Sequence, residues 1–261
     1  MTAIAFFVCA LPCFFWVPES PAQPGADGEG GLLATLKRLP STPAVLYFLI
    51  ANFFVVDVLN TAIVFARDFI DSAFMRPDND SVSATVLFLT NAAALGGGLF
   101  IGWLSDRTNP RRAFVVSLVC LAVTITAAAT VTNLVAFSIF FVLFGAIGLA
   151  GVWTSGRKLL YIVAPKDRIG EYFGLYGVTQ KVSMIGCNVV ALIVDRFSTP
   201  SGYRAAIATQ LVPLAIGLYF IMKVKLPGSG VEQAGATPGA EPPEAAELPE
   251  AGEPAEPEVG A

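Results

Sequence analysis

Residues 134–153, LVAFSIFFVLFGAIGLAGVW, run for twenty positions without a charged side chain. A helix made of them is apolar round its whole circumference and must be buried in lipid or protein. Crossing the hydrocarbon core takes about 20 such residues. The chain offers seven runs of this kind, at 2–18, 44–66, 84–104, 113–131, 134–153, 171–194 and 205–222. The pattern predicts an all-α fold, a polytopic transmembrane helix bundle. Only 14% of residues are charged, against about 25% in an ordinary soluble domain.

Between and beyond these runs the composition changes. Residues 19–43 form a polar, Pro- and Gly-rich linker. The last stretch, 226–261, carries eight Glu and seven Pro with no Lys or Arg. It cannot bury enough apolar surface to fold, so an acidic disordered tail is predicted. The formal charge of −4 comes from this tail, and the apolar body is net basic. The predicted organisation is a helix at 1–18, a linker at 19–43, a six-helix bundle at 44–225 and the tail. Run 2–18 could also be read as a signal peptide, but it lacks a basic start, and Trp16 and Pro18 are poor neighbours for a cleavage site.

Orientation follows from loop Lys and Arg. If the linker is cytoplasmic, so are 105–112, 154–170 and the tail. That side holds eleven basic residues, and the other only Arg67, Arg76, Arg196 and Arg204. The bias predicts an integral protein of the cell membrane with a cytoplasmic C-terminus.

The chain contains no His, which excludes His-based acid–base catalysis and His-ligated metals. Cys9, Cys13, Cys120 and Cys187 lie inside apolar runs without zinc spacing. Phosphate loops, nucleotide fingerprints and paired catalytic carboxylates are missing. No cofactor, metal or nucleic-acid partner is expected, and the chain does not read as an enzyme.

The loop GWLSDRTNPRR, residues 102–112, joins two apolar runs. Gly102, Asp106, Arg107 and Arg111 resemble the G-x-x-x-D-R-x-G-R-R loop of the major facilitator superfamily. In that family the loop's acid and arginines hold two helical bundles in a gated arrangement. The resemblance therefore makes these four residues candidates for a gate, with Arg157 and its neighbour Lys158, at the end of a later span, as partners for acidic groups there. Asn109 stands where the family has Gly, and Pro110 where it has the first Arg. Asn tolerates a left-handed turn better than other non-Gly residues, so such a turn is expected at Asn109. A positive-inside loop capping two helices would explain the arginines alone, but not the spacing of Gly102 and Asp106.

Three further stretches, YFLIANFFVVDVLNTAIVF, GLAGVWTSGRKLLYIVAP and EYFGLYGVTQKVS, look like the seventh, tenth and eleventh helices of that superfamily's vacuole-effluxer-like branch. The resemblance makes 44–222 the family's helices seven to twelve and 2–18 its sixth. It departs at Cys187-Asn188, where Gly-Pro would follow Gly186. It implies the C-terminal half of a transporter, with a separate first half or a second copy of the chain as partner.

Charges at membrane depth are costly and usually face a cavity or a partner. Asp57 and Lys181 both fall near the middle of their spans, each sharing a helical face with an amide, Asn60 and Asn188. They could pair, line one water-filled pathway, or serve as polar glue between helices. The resulting expectation is secondary active transport of a small solute, an amino acid or related metabolite, by alternating access within the lipid bilayer. Asp57 would take a coupling proton or substrate amine, and Lys181 an anionic group. The alternative is a truncated or non-transporting membrane protein that packs with other chains.

Overall fold

The computed structural model describes residues 39–74, 80–197 and 199–226, with the isolated positions 7, 11, 36 and 37. The predicted run 2–18, most of the linker and the tail beyond 226 lie outside the described residues. The chain divides into two units, Met1–Leu226 and Pro227–Ala261.

Among the described residues every regular element is helical. Six stretches are long and apolar enough to cross a membrane: Pro43–Ala73, Ser81–Arg107, Pro110–Thr130, Leu134–Val163, Ile169–Arg196 and Pro200–Lys223. They correspond in order to the last six predicted runs. The first three are single helices, α1 (Pro43–Ala73), α2 (Asp80–Arg107) and α3 (Pro110–Thr130). The fourth joins α4 (Leu134–Phe140) to α5 (Ala146–Val163) through a π-helical turn at Phe141–Gly145. The fifth is broken between α6 (Ile169–Val182) and α7 (Ile185–Arg196), and the sixth between α8 (Pro200–Ala208) and α9 (Leu211–Lys223).

The helix starts have local causes. Proline occupies the first turn of α1, α3 and α8, where its fixed φ suits a helix and its missing N–H is not needed. Asn133 caps α4, its side chain accepting N–H bonds from Val135 and Ala136. Asn109 does the same for α3, accepting from the Arg111 N–H at 2.9 Å. The expected left-handed turn at Asn109 is therefore corrected. Its backbone is extended, at φ −171°, because an N-cap residue keeps non-helical dihedrals while its side chain satisfies a free donor. The two departures from the family loop, Asn109 and Pro110, together form a cap followed by a first-turn proline.

The predicted runs 171–194 and 205–222 do not continue as unbroken helices. Pro213 explains the second interruption: its ring cannot share a continuous helix with the carbonyl four residues earlier, that of Thr209. The chain restarts at Leu211, which leaves Pro213 in a first turn.

Lipid tails are as apolar as the side chains they would replace, so close fit rather than water exclusion holds such helices together. The glycines of α5 permit that fit. A methyl group on Gly151 would lie 2.1 Å from Ser117 Oγ, and one on Gly148 would lie 2.7 Å from Leu121 Cγ. In the centre, Phe48 of α1 stacks on Tyr176 of α6 at 6.0 Å and meets Phe114 of α3 edge-on at 6.2 Å.

Arginines fasten the bundle at opposite ends. Arg111 donates from Nε to the Ile221 carbonyl at 3.1 Å and from Nη2 to that of Met222. This ties the start of α3 to the end of α9. Arg204 of α8 donates to the carbonyls of Ala128 (3.2 Å), Val131 and Ala73 (3.4 Å), which terminate α3 and α1. Cations at helix C-termini meet the negative end of the helix dipole.

Candidate functional site

The midpoint of α1 carries Asp57, 4% exposed. The carboxylate meets the start of α7: both oxygens accept the Gly186 backbone N–H, at 2.8 and 2.9 Å. A half-helix N-terminus presents unpaired N–H donors and a positive dipole end, so an acid is well matched to it.

The rest of the break is held by the same face of α1. Asn60 Nδ2 donates to the Ser183 carbonyl at 2.7 Å. The Ser183 hydroxyl donates to the Phe53 carbonyl. Backbone groups released by the interruption thus find partners inside the bundle, a requirement where water is absent. The break between α8 and α9 meets the same point. Gln210, 3% exposed, places an unpartnered Oε1 beside Gly186. A cavity of about 310 Å³ adjoins the junction, lined by Phe53, Phe54, Asp57, Val189, Gln210 and Pro213 among others.

The other predicted pathway residues lie elsewhere. Lys181 is exposed near the middle of its span, and the Asp57 carboxylate is bound to Gly186 rather than to Lys181. Asn188 is exposed, with its amide donating back to the Met184 carbonyl at 3.0 Å. Because the helix breaks between them, Lys181 and Asn188 belong to separate half-helices. Of the four predicted residues, the structure brings together Asp57 and Asn60. Gly186, Ser183 and Gln210 join them unpredicted. Pro213 was the available signal for the second break. Sequence alone held no comparable signal for the first.

At the end of the bundle marked by Arg111, Asp106 pairs with Lys158 of α5. The side chains are 70% and 41% exposed, and such a pair adds about 0–1 kcal/mol at most. Arg107 lies over the Trp103 ring at 4.9 Å. Arg157 is exposed, and of the two adjacent basic residues it is Lys158 that the acid of the loop engages. Gly102 has open space where a Cβ would point, and among the described residues nothing demands glycine there.

Comparison with known proteins sets this arrangement in context. A protein named a gentisate transporter, from Corynebacterium glutamicum, is 30% identical over 179 residues, covering 67% of this chain and 39% of the relative. The chain thus matches well under half the length of that relative. No solved structure matches. The sequence profile of the Major Facilitator Superfamily matches residues 1–187 and 59–247. Those ranges take in all six spans, the Asp106–Lys158 loop contact and the junction at Asp57, and the chain belongs to the Major Facilitator Superfamily.

Proposed function

We propose that this chain is the C-terminal six-helix bundle of a secondary active transporter, moving a small solute by alternating access. The observation that carries the reading is Lys181, exposed halfway along its span. A cation facing hydrocarbon at that depth costs about 2.5–3.5 kcal/mol on insertion scales. A water-filled cavity between this bundle and a second one removes that cost. The open space at Gly102 leaves room for a second bundle to approach closely. The partner is a separate N-terminal half or another copy of the chain.

The substrate is an amino acid or a related small carboxylate; gentisate, which names the relative, also carries a carboxylate. Lys181 would meet the anionic group, and Asp57 would carry the coupling ion. Asp106, Arg107, Arg111 and Arg157 would form the gate, opened easily because the Asp106–Lys158 pair is weak. The basic loops, gathered at the end marked by Arg111, support a cytoplasmic C-terminus in the cell membrane. No catalytic role is assigned.

Uptake of labelled amino acids and of gentisate, measured with the chain alone and with a complementary six-helix half, tests the reading. Uptake should require both halves and should vanish in Asp57→Asn at unchanged membrane abundance. Unchanged transport by Asp57→Asn would remove Asp57 from the mechanism. No uptake in any combination would favour the second reading, a membrane protein that packs with other chains without transporting. That reading draws on the six described spans forming one bundle.

A further inference from the structure

We infer that Asp57 and Gln210 bind a monovalent metal cation, Na⁺, at the junction of the two broken spans. The inference rests on the transporter reading only for the ion's coupling role; the binding stands on local geometry.

The argument begins with charge. Asp57 is 4% exposed, and its carboxylate shares one donor, the Gly186 N–H, between two oxygens. A buried carboxylate that ionises without a counter-charge is strongly unfavourable. Lys181, exposed at mid-span, does not supply that charge.

The neighbours add to the demand. A methyl group built on Gly186 would lie 2.5 Å from Asp57 Oδ2, 2.8 Å from Gln210 Oε1 and 2.9 Å from Thr61 Oγ1. Three oxygens from α1 and from the break between α8 and α9 therefore converge. The Gln210 oxygen is buried without a hydrogen-bond partner, which is uncommon in native structures and calls for a cause. The Thr61 hydroxyl donates to the Asp57 carbonyl at 2.8 Å and also meets Cys187 Sγ at 3.4 Å, which leaves one lone pair on its oxygen. These acceptors share one backbone donor, the Gly186 N–H on Asp57, which leaves the Gln210 oxygen to be met by an electropositive centre.

The donor set narrows its identity. Oxygen ligands suit hard cations; the one sulfur at the junction, Cys187 Sγ, lies 3.4 Å from Thr61 Oγ1, and a single thiol without further nitrogen or sulfur donors does not make a transition-metal site. One carboxylate among neutral oxygens balances a single positive charge; a divalent ion would leave an excess in an apolar wall. The adjoining cavity of about 310 Å³ provides an entry and room for the waters that complete coordination.

Equilibrium binding of radioactive sodium to the purified full chain in detergent, with choline as the other cation, tests this. Saturable, stoichiometric binding is expected, together with a rise in melting temperature in sodium over choline. Affinity should fall by about tenfold or more in both Asp57→Asn and Gln210→Leu, and persist in Thr126→Val on an exposed face. Gln210→Leu leaves the Asp57–Gly186 bond intact, so poor folding of one variant does not mask the result. Absence of sodium binding, or equal binding after Asp57→Asn, overturns the inference. So does proton release from Asp57 without sodium dependence, since a proton would then be the occupant. No transport is measured, so a sodium-binding chain that moves no solute removes the transport reading and leaves this site standing.

Discussion

Asp57 and Gly186 are 129 positions apart and are joined through both carboxylate oxygens, at 2.8 and 2.9 Å from one backbone N–H. The bond fixes where the fifth span restarts as α7. It also sets how closely α1, α7 and the break at Gln210 approach.

That closeness predicts opposite outcomes for two glycine substitutions. In Gly186→Ala the new methyl would fall within 2.5 Å of Asp57 Oδ2, and overpacking of this kind costs about 1–3 kcal/mol. In Gly174→Ala the methyl meets nothing within 4 Å, and the helix gains roughly 0.5–1 kcal/mol. Thermal melting in detergent should show a fall for the first variant and a rise for the second. A fall of equal size in both would contradict the junction geometry.

Asn109 offers a test of the corrected loop conformation. As an N-cap, it should tolerate Ser, while Asn109→Ala should lose about 1 kcal/mol and Asn109→Gly only a few tenths. A left-handed turn would instead make Asn109→Gly the most stable variant. Melting temperatures of the three variants separate the two conformations.

The two arginine clasps should dominate the exposed ion pair in stability. Arg204→Gln weakens bonds to the carbonyls of Ala73, Ala128 and Val131, and Arg111→Ala removes those to Ile221 and Met222. Hydrogen bonds to charged groups contribute about 1.5–3 kcal/mol. Hydrogen exchange should rise at the end of α9 in Arg111→Ala and at the ends of α1 and α3 in Arg204→Gln. Exchange unchanged at those helix ends would show that the clasps are not structural.

For Asp106 and Lys158, a double-mutant cycle with Asp106→Asn and Lys158→Gln should give a coupling below about 1 kcal/mol that fades in high salt. A larger, salt-insensitive coupling would mean that the pair is shielded from solvent, at odds with its exposure.

Much of the fold was legible because a membrane span is specified locally. An apolar run of sufficient length, such as 134–153, must become a helix whatever it packs against, since its backbone groups have no other partners in lipid. The loop at 102–112 was likewise legible, as Gly102 and Asp106 lie within one short stretch. Lys158 was legible as a partner for an acid at that end of the bundle, but not that the acid is Asp106, fifty-two positions away.

The sequence by itself determined seven apolar runs, the last six of them matched by described spans, the mid-span positions of Asp57 and Lys181, and the basic side of the bundle, all of which depend on residue type and distance along a helix. Tertiary structure alone decided that Asp57 turns to the broken ends of two other spans while Lys181 remains exposed. Helical spacing gives a side chain's depth and its face. Which neighbour occupies that face, and whether that neighbour interrupts its own helix to offer an N–H, is set only when the spans pack.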